Sequence, residues 1–132
     1  MTNLTELKRA SWQCVHFISQ AEYANLQSAL VDEVFLVREL DSSVVIDDAS
    51  LFSRAADALS FPDYFGDNWD SMDECLADLD VTPYIGVIFV FKNSTQVWSN
   101  APLSAGRFLS AWQAAAQEWA SDEVPFHLLF VT

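Results

Sequence analysis

The sequence is poor in basic residues and in glycine, and each shortage argues against a class of function. Only 6 of its 132 residues are Lys or Arg, whereas 19 are Asp or Glu, so the formal net charge is −13. Such a chain repels phosphate groups, which argues against nucleic-acid binding and favours a basic partner. The three glycines, Gly66, Gly86 and Gly106, lie far apart. No glycine-rich phosphate-binding loop is therefore present.

Cysteine and histidine are also scarce. Cys14 and Cys75 lie in apolar patterns, which predicts buried, reduced thiols rather than a disulfide framework. His16 and His127 lie within apolar strand patterns, where a structural role is favoured over a catalytic one. No Cys/His spacing of a metal site is present, and the acidic residues lack the pattern of a calcium loop. We therefore expect no metal, no cofactor and no catalytic residue.

Long apolar runs are absent as well. No run approaches the length of a membrane span, so we expect no membrane association. At the N-terminus, Glu6, Lys8 and Arg9 precede only the short apolar run Cys14–Ile18, which is not a signal-peptide pattern. Together with reduced thiols, this predicts a cytoplasmic protein. Because 52% of the residues are hydrophobic, the chain can build a real core, and residues 1–132 are expected to form one domain.

Strand and helix patterns alternate along the chain. Strands are predicted over residues 14–18, 34–37, 85–91 and 126–131. Helices are predicted from 20 to about 31, from Asp47 or Asp48 to 59, from 69 to 79, and from 103 to about 120. Residues 1–12 and 92–102 are expected to be polar and irregular. This alternation predicts an α/β fold with a small parallel sheet of three to four strands packed by helices, connected by right-handed crossovers.

Apolar stripes identify the side of each helix that should face the sheet. Ser19 and Glu22 form a capping-box pattern at the start of the first helix. The residues expected to face inward are Leu26, Ala29 and Leu30 in that helix, Leu51, Phe52, Ala55 and Leu59 in the second, and Leu109, Trp112, Ala116 and Trp119 in the last.

The most unusual stretch spans residues 61–80 and contains seven acidic residues and no basic one. Pro62 prevents the preceding helix from continuing, because it lacks an N–H group. Gly66 can adopt a positive φ, and Asn68 can cap a helix that starts at Trp69. The stretch therefore predicts a turn followed by a helix.

The predicted helix has an acidic side and an apolar side. Asp70, Glu74 and Asp78 recur at intervals of four residues, with Asp73 at the flank. Like charges at this spacing oppose each other by roughly 0.2–0.5 kcal/mol per pair. The apolar side consists of Trp69, Met72, Cys75, Leu76 and Leu79.

Three interpretations of this acidic side differ in function. A solvated surface is the usual one for an acidic helix face. A recognition surface is favoured here, because no Lys or Arg is interspersed and because Tyr64 and Phe65 stand at the helix entrance. A hydrolase acid/base pair of Asp70 and Glu74 is disfavoured, since the two lie one turn apart on an exposed helix with no evident cleft. We therefore expect a protein that is not an enzyme.

The run from Phe61 to Asp70, followed by residues 73–76, resembles the barstar family of intracellular inhibitors of the secreted ribonuclease barnase. Weaker agreement in element order extends from about Glu33 to the C-terminus. The resemblance implies a barstar-like core over 33–132 and an extension over 1–32 with a strand and a helix. It also implies inhibition by occlusion, in which the carboxylates of the acidic helix take the places of substrate phosphates in the ribonuclease cleft.

The resemblance also implies which residues contact the partner. Asp70 matches the first key acid of the family's helix, and Glu74 stands where the family has its most important aspartate. Asp73 departs from a tryptophan in the family pattern, and no acid lies between Gln113 and Ala116, where the family has one. The residues expected to contact the partner are Tyr64, Gly66, Asn68, Asp70, Asp73, Glu74 and Asp78.

The sequence thus predicts a bacterial inhibitor of a basic secreted ribonuclease or nuclease toxin, of the immunity or antitoxin type, that is a monomer when free. The alternative is a non-inhibitory protein-interaction or regulatory module on the barstar fold.

Overall fold

Four strands form one parallel sheet in the computed structural model, which describes residues 2–132. The order of the strands across the sheet is β1-β4-β3-β2, and every pairing is parallel. The predicted α/β class and parallel sheet are therefore confirmed. The strands are β1 (Val15–Ile18), β2 (Phe35–Asp41), β3 (Gly86–Lys92) and β4 (Phe126–Val131).

Six helices pack around this sheet in residues 2–132. Two of them begin at caps that the sequence predicts. Ser19 Oγ accepts a hydrogen bond from the Glu22 N–H at 3.1 Å, and Asp47 caps the third helix through the Ser50 N–H at 2.8 Å. The helices are α1 (Leu4–Leu7), α2 (Gln20–Leu30), α3 (Asp48–Leu59), α4 (Trp69–Ala77), α5 (Ser94–Asn100) and α6 (Pro102–Ser121).

The sheet separates two hydrophobic cores, because successive residues of a strand point to opposite faces. On one face, Val87, Phe89 and Phe91 of β3 pack against α3, α4, α5 and α6. On the other face, Ile88 and Val90 pack against residues of α1 and α2. The central strands β3 and β4 are consequently buried on both faces, which explains their continuous apolar sequences.

Two segments expected to be irregular are helical. Helix α1 places Leu7 in the core. Asn3 caps this helix by accepting a hydrogen bond from the Glu6 N–H. In α5, Ser94 and Val97 are buried. Both helices are short and contain only two apolar residues each, which is too few for a periodic pattern to show.

Some core positions also differ from the prediction. In α2, Ala29 is exposed, and Tyr23 instead packs into the core and donates a hydrogen bond to Glu39. Val34 precedes β2 and is 51% exposed. The continuous apolar run of residues 34–37 predicts burial on both faces, but Val34 lies outside the strand and β2 lies at an edge of the sheet, where such a run does not ensure burial.

In α6, Leu109 and Trp119 are only half-buried, whereas Phe108, Ala111 and Ala115 face the core. The inward face of this long helix is therefore broader than the predicted stripe. In α3, by contrast, the four predicted inward residues are the buried ones, Leu51, Phe52, Ala55 and Leu59.

His16 and His127 join β1 and β4 to the N-terminal segment by a chain of hydrogen bonds. His127 Nε2 lies 2.8 Å from the carbonyl oxygen of Arg9, to which it must donate. His127 Nδ1 therefore accepts from His16 Nε2 at 2.9 Å, and Thr2 Oγ1 lies 3.4 Å from His16 Nδ1. Both histidines are satisfied structural residues, as expected from their strand positions.

The histidine pair should make the folded protein less stable as the pH is lowered. Burial lowers the pKa of His127 to about 4, and burial also lowers the pKa of His16. The unfolded chain binds these protons near pH 6.5, so the stabilisation is complete above that pH and is lost as pH falls toward the folded pKa. For His127 we expect a loss of roughly 1–2 kcal/mol by about pH 5.

Denaturant unfolding at neutral pH and near pH 5 tests this expectation. His127→Gln keeps an amide donor for the Arg9 carbonyl but does not titrate. The variant should therefore show a smaller change of unfolding free energy between the two pH values than the natural sequence does. Equal changes in both proteins would show that His127 is not responsible.

Candidate functional site

The apolar side of α4 anchors the acidic helix to the rest of the fold. Met72, Cys75 and Leu76 are buried in the core shared with α6 and the sheet. From α6, Trp119 Nε1 donates a hydrogen bond to the carbonyl oxygen of Leu76 at 3.0 Å. This bond satisfies one of the carbonyl groups that a helix leaves free near its C-terminal end.

A second anchor lies at the start of α4. Trp69 Nε1 donates to Asp48 Oδ2 at 3.1 Å, and the hydroxyl of Ser104 donates to the other oxygen of the same carboxylate. The guanidinium of Arg107 lies 4.8 Å from the centre of the Trp69 ring, within the range of a cation–π interaction. Asp48 thus joins α3, α4 and α6, which holds the acidic side of α4 outward.

The loop before α4 is tied to the helix by three hydrogen bonds. Asn68 Oδ1 accepts from the Ser71 N–H at 2.8 Å, which confirms Asn68 as the N-cap. Asn68 Nδ2 donates to the Gly66 carbonyl at 3.0 Å, and the Gly66 N–H donates to Ser71 Oγ at 2.9 Å. These contacts give Gly66 and Asn68 a clear role in shaping the helix entrance.

Gly66 does not adopt the positive φ that a glycine permits. Asp67 adopts the left-handed conformation instead, with φ 50°, and no glycine does so. Glycine is favoured at position 66 by space, because an added Cβ atom would lie 3.0 Å from Asn68 Nδ2 and 3.1 Å from Ser71 Oγ. The hydrogen-bonded loop folds back closely enough to exclude a side chain there.

The predicted acids Asp70, Asp73, Glu74 and Asp78 are all exposed on α4 or at its C-terminal end. Within residues 2–132 the ion pairs are Lys8–Glu33 and Lys92–Glu39, and neither involves these acids. Asp78 is the C-cap residue, and the last turn of α4 contains no basic residue. A carboxylate at this end opposes the helix dipole, so the acidic side carries an electrostatic cost in the free protein.

A groove of about 350 Å³ runs between α4 and α6. Asp73 and Glu74 of α4 and Glu118 of α6 line it together, so a cleft does adjoin the acids, contrary to the expectation of none. Sequence spacing could not identify Glu118, because it is distant from α4 along the chain. Alanines form the floor of this groove: Ala77, Ala111, Ala114 and Ala115.

A second groove, of about 450 Å³, lies beside the C-terminal end of α4. Tyr64, Asp78 and Asp80 line it on one side, and Leu36 and Arg38 of β2 line it on the other. Tyr64 is 68% exposed, so its ring is available for contact rather than for packing. The residues predicted to contact a partner therefore surround α4 from its entrance to its end.

The cysteines are not placed for nucleophilic chemistry. Cys14 and Cys75 are free and buried. Burial raises the pKa of the Cys14 thiol to about 11, and burial together with Glu74 and Asp78 raises the pKa of the Cys75 thiol. Both therefore remain thiols, which are poor nucleophiles.

The described part of the chain also lacks two other kinds of feature. It contains no group of three or more His, Cys, Asp or Glu residues that could hold a metal ion. No helix between residues 2 and 132 has both the length and the apolar character that crossing a membrane requires.

Comparison with known families identifies the family to which most of the chain is similar. The model of the family described as Barstar (barnase inhibitor) matches residues 35–131. The matched region begins with the first residue of β2 and ends with the last residue of β4. It includes α4 and both grooves, whereas α1, β1 and α2 precede it. No curated protein matches the chain.

Asp48→Ala should weaken the anchor of α4. The substitution removes the acceptor of both the Trp69 indole and the Ser104 hydroxyl, which are half-buried or buried. Leaving such donors unsatisfied costs about 1–3 kcal/mol. Asp57→Ala is the matched control, because Asp57 is an exposed acid of the same helix, and its removal should change stability by no more than about 0.5 kcal/mol. Equal unfolding free energies for the two variants would contradict the anchoring role.

Proposed function

The chain belongs to the barstar family, and on that basis we propose that it inhibits a basic ribonuclease or nuclease toxin by placing α4 in the enzyme's active-site cleft. The family is one of inhibitors rather than enzymes. The proposal is supported mainly by one observation: the four exposed carboxylates of α4 have no basic partner in the described chain.

The chemistry of a ribonuclease cleft explains why unpaired carboxylates suit this task. A cleft that binds and cleaves a polyanion needs cationic side chains, which a carboxylate can engage in place of a phosphate. Pairing of Arg with a carboxylate is bidentate and directional, and it strengthens when the pair is removed from water. The net charge of −13 also accelerates encounter with a basic enzyme.

The groove between α4 and α6 supports a cationic contact in particular. Asp73, Glu74 and Glu118 border a floor of alanines. A long Lys or Arg side chain could lay its methylene groups on this floor and bring its charge to the three carboxylates. Asp73 replaces an aromatic residue of the family pattern, so we propose that this groove adapts the inhibitor to its own target.

The cellular setting follows from the same proposal. Two unpaired buried thiols fit a reducing compartment, and an inhibitor in the cytoplasm would protect the cell that makes the nuclease. The nuclease itself would be secreted or delivered as a toxin. The departures at Asp73 and Glu74 are the observation that favours the alternative, a non-inhibitory interaction module on the same fold.

Alanine variants of the acidic side test the inhibitor function, with barnase as the probe enzyme. Asp70→Ala and Glu74→Ala should keep their thermal stability within about 0.5 kcal/mol, as is usual for surface changes. Each should lose roughly 2–5 kcal/mol of binding free energy, because a cation of the enzyme stays buried and unpaired; this magnitude comes from interfaces of this kind, barnase–barstar among them. Glu74→Ala should lose the most.

The matched control is Asp32→Ala, which removes an equally exposed acid from the turn between α2 and β2, outside both grooves. It should leave inhibition unchanged. If Glu74→Ala unfolds the protein or retains affinity within about twofold of the natural sequence, the carboxylates do not mimic phosphates. If the natural sequence inhibits neither barnase nor a basic nuclease captured with it, the interaction module becomes the better proposal.

Asp78→Ala should separate the kinetic role of the acidic side from its direct contacts. Asp78 lies at the C-terminal end of α4, so its removal should slow association and weaken the salt dependence of the rate, with little effect on dissociation. The same change should raise the stability of the free protein by about 0.3–1 kcal/mol, because it removes a charge that opposes the helix dipole. Stopped-flow binding and thermal unfolding provide the two readouts, and a lower stability would contradict the electrostatic account.

A further inference from the structure

The two edges of the sheet differ in how they are protected. At one edge, Thr132 N–H donates to the carbonyl of Ile18 and Leu128 N–H donates to the carbonyl of Cys14. In a parallel pair these bonds turn the backbone groups of Cys14, His16 and Ile18 toward β4. The N–H and C=O groups of Val15 and Phe17 therefore point away from the sheet.

The opposite edge, formed by β2, is protected by charged side chains. The carbonyl of Val34 accepts a bond from the β3 side, so the backbone groups of Val37 point outward by the same alternation. The guanidinium of Arg38 donates to that Val37 carbonyl at 3.1 Å. Glu39 and Asp41 add charges to this strand. A side chain that bonds an outward backbone group, and charged side chains along the strand, both hinder pairing of an edge with another chain.

The β1 edge carries no such charges, although the strand is short, with four residues from Val15 to Ile18. Residues 10–21 contain no Asp, Glu, Lys, Arg or Pro. In the described chain no hydrogen bond reaches the N–H or C=O of Val15 or Phe17 on this outward side. The ring of Phe17 stacks on Phe130 with centroids 5.1 Å apart but stays 62% exposed. An unpaired, uncharged strand next to an exposed aromatic ring is a ready template for strand addition.

We propose that the β1 edge pairs with the β1 edge of a second copy of this chain, joining two four-stranded sheets into one of eight strands. Electrostatics favours a second copy over the nuclease. A basic partner is attracted to the acids of α4, whereas β1 carries no acid and the groove beside Val15 and His16 holds one acid and one base, Glu6 and Arg9. Two copies that each carry a net charge of −13 can approach with least repulsion through a surface without net charge, and antiparallel pairing about a two-fold axis makes that surface self-complementary.

The dimer leaves the acidic site free. Leu36 and Arg38 of β2 line the groove that contains Tyr64 and Asp78, so that groove lies toward the β2 edge, and none of the residues that line the groove between α4 and α6 belongs to β1. The β1 edge lies three strands across the sheet, roughly 14 Å away at the usual strand spacing of about 4.8 Å. The pairing is therefore compatible with the inhibitor function, and it differs from the monomer expected from the sequence.

Sedimentation equilibrium of the full chain up to millimolar concentration tests the dimer. Association should strengthen as salt is added, because salt screens the repulsion between two acidic copies.

Phe17→Lys places like charges near the two-fold axis and should weaken dimerisation by about tenfold or more. Val15→Pro removes an outward N–H group, together with the packing of the half-buried Val15 side chain against the core, and should have a similar effect. Val31→Lys is the matched control, because Val31 is 78% exposed at the C-terminal end of α2 and lies beside Val37 and Arg38 of the β2 edge, so it should leave the dimer intact.

Hydrogen exchange keeps the test valid if a variant folds poorly. In the natural sequence, the amides of Val15 and Phe17 should exchange quickly in dilute solution and slowly at concentrations where the dimer forms. A natural sequence that stays monomeric at millimolar concentration overturns the proposal. So does a dimer that persists in both Phe17→Lys and Val15→Pro, or whose Val15 and Phe17 amides remain unprotected.

Discussion

The carboxylate of Asp48 is the interaction on which the acidic site depends. It lies in the first turn of α3, where the helix dipole favours a negative charge, and it accepts hydrogen bonds from Trp69 of α4 and Ser104 of α6. A single group thereby fixes three helices relative to one another. Because Trp119 holds the other end of α4, the helix cannot rotate to bring its acids toward the few basic residues of the chain.

This rigidity accounts for the electrostatic cost carried by α4. Free side chains on a mobile helix could relax toward counter-ions, whereas a helix fixed at both ends keeps its carboxylates where they repel. Asp78 adds to that cost at the helix C-cap. Such a cost is understandable in a surface that is completed by a basic partner, since a preorganised array loses less conformational entropy on binding than a flexible one.

The residues that precede the family match supply the second layer of the fold. Tyr23, Leu26 and Leu30 of α2 cover Ile88 and Val90 of β3, and His127 of β4 bonds to the segment between α1 and β1. The same stretch adds β1 to the sheet and thus creates an edge that the matched region does not contain. One face of the sheet therefore supports α4, while the other is closed by a segment with its own surface properties.

How much of this could be predicted depended on whether the determining contacts are local. The sequence identifies Asn68 as a cap and leaves Asp47 or Asp48 for α3, because a capping residue bonds a group only three positions away. The structure assigns the second cap to Asp47. The acidic and apolar sides of α4 follow from the 3.6-residue period alone. The same holds for the four buried residues of α3 and for the apolar strands β3 and β4, whose burial on both faces leaves an uninterrupted hydrophobic run.

Only the tertiary structure decided which distant residues meet. Glu118 joins Asp73 and Glu74 because α6 packs against α4, and Tyr23 reaches Glu39 across the space between a helix and a strand. Asp67 rather than Gly66 takes the left-handed conformation because the loop folds back onto Ser71. Local patterns record what a residue does to its own helix or strand. They do not determine how two elements cross, because the crossing depends on how side chains from distant parts of the sequence pack together in the folded chain.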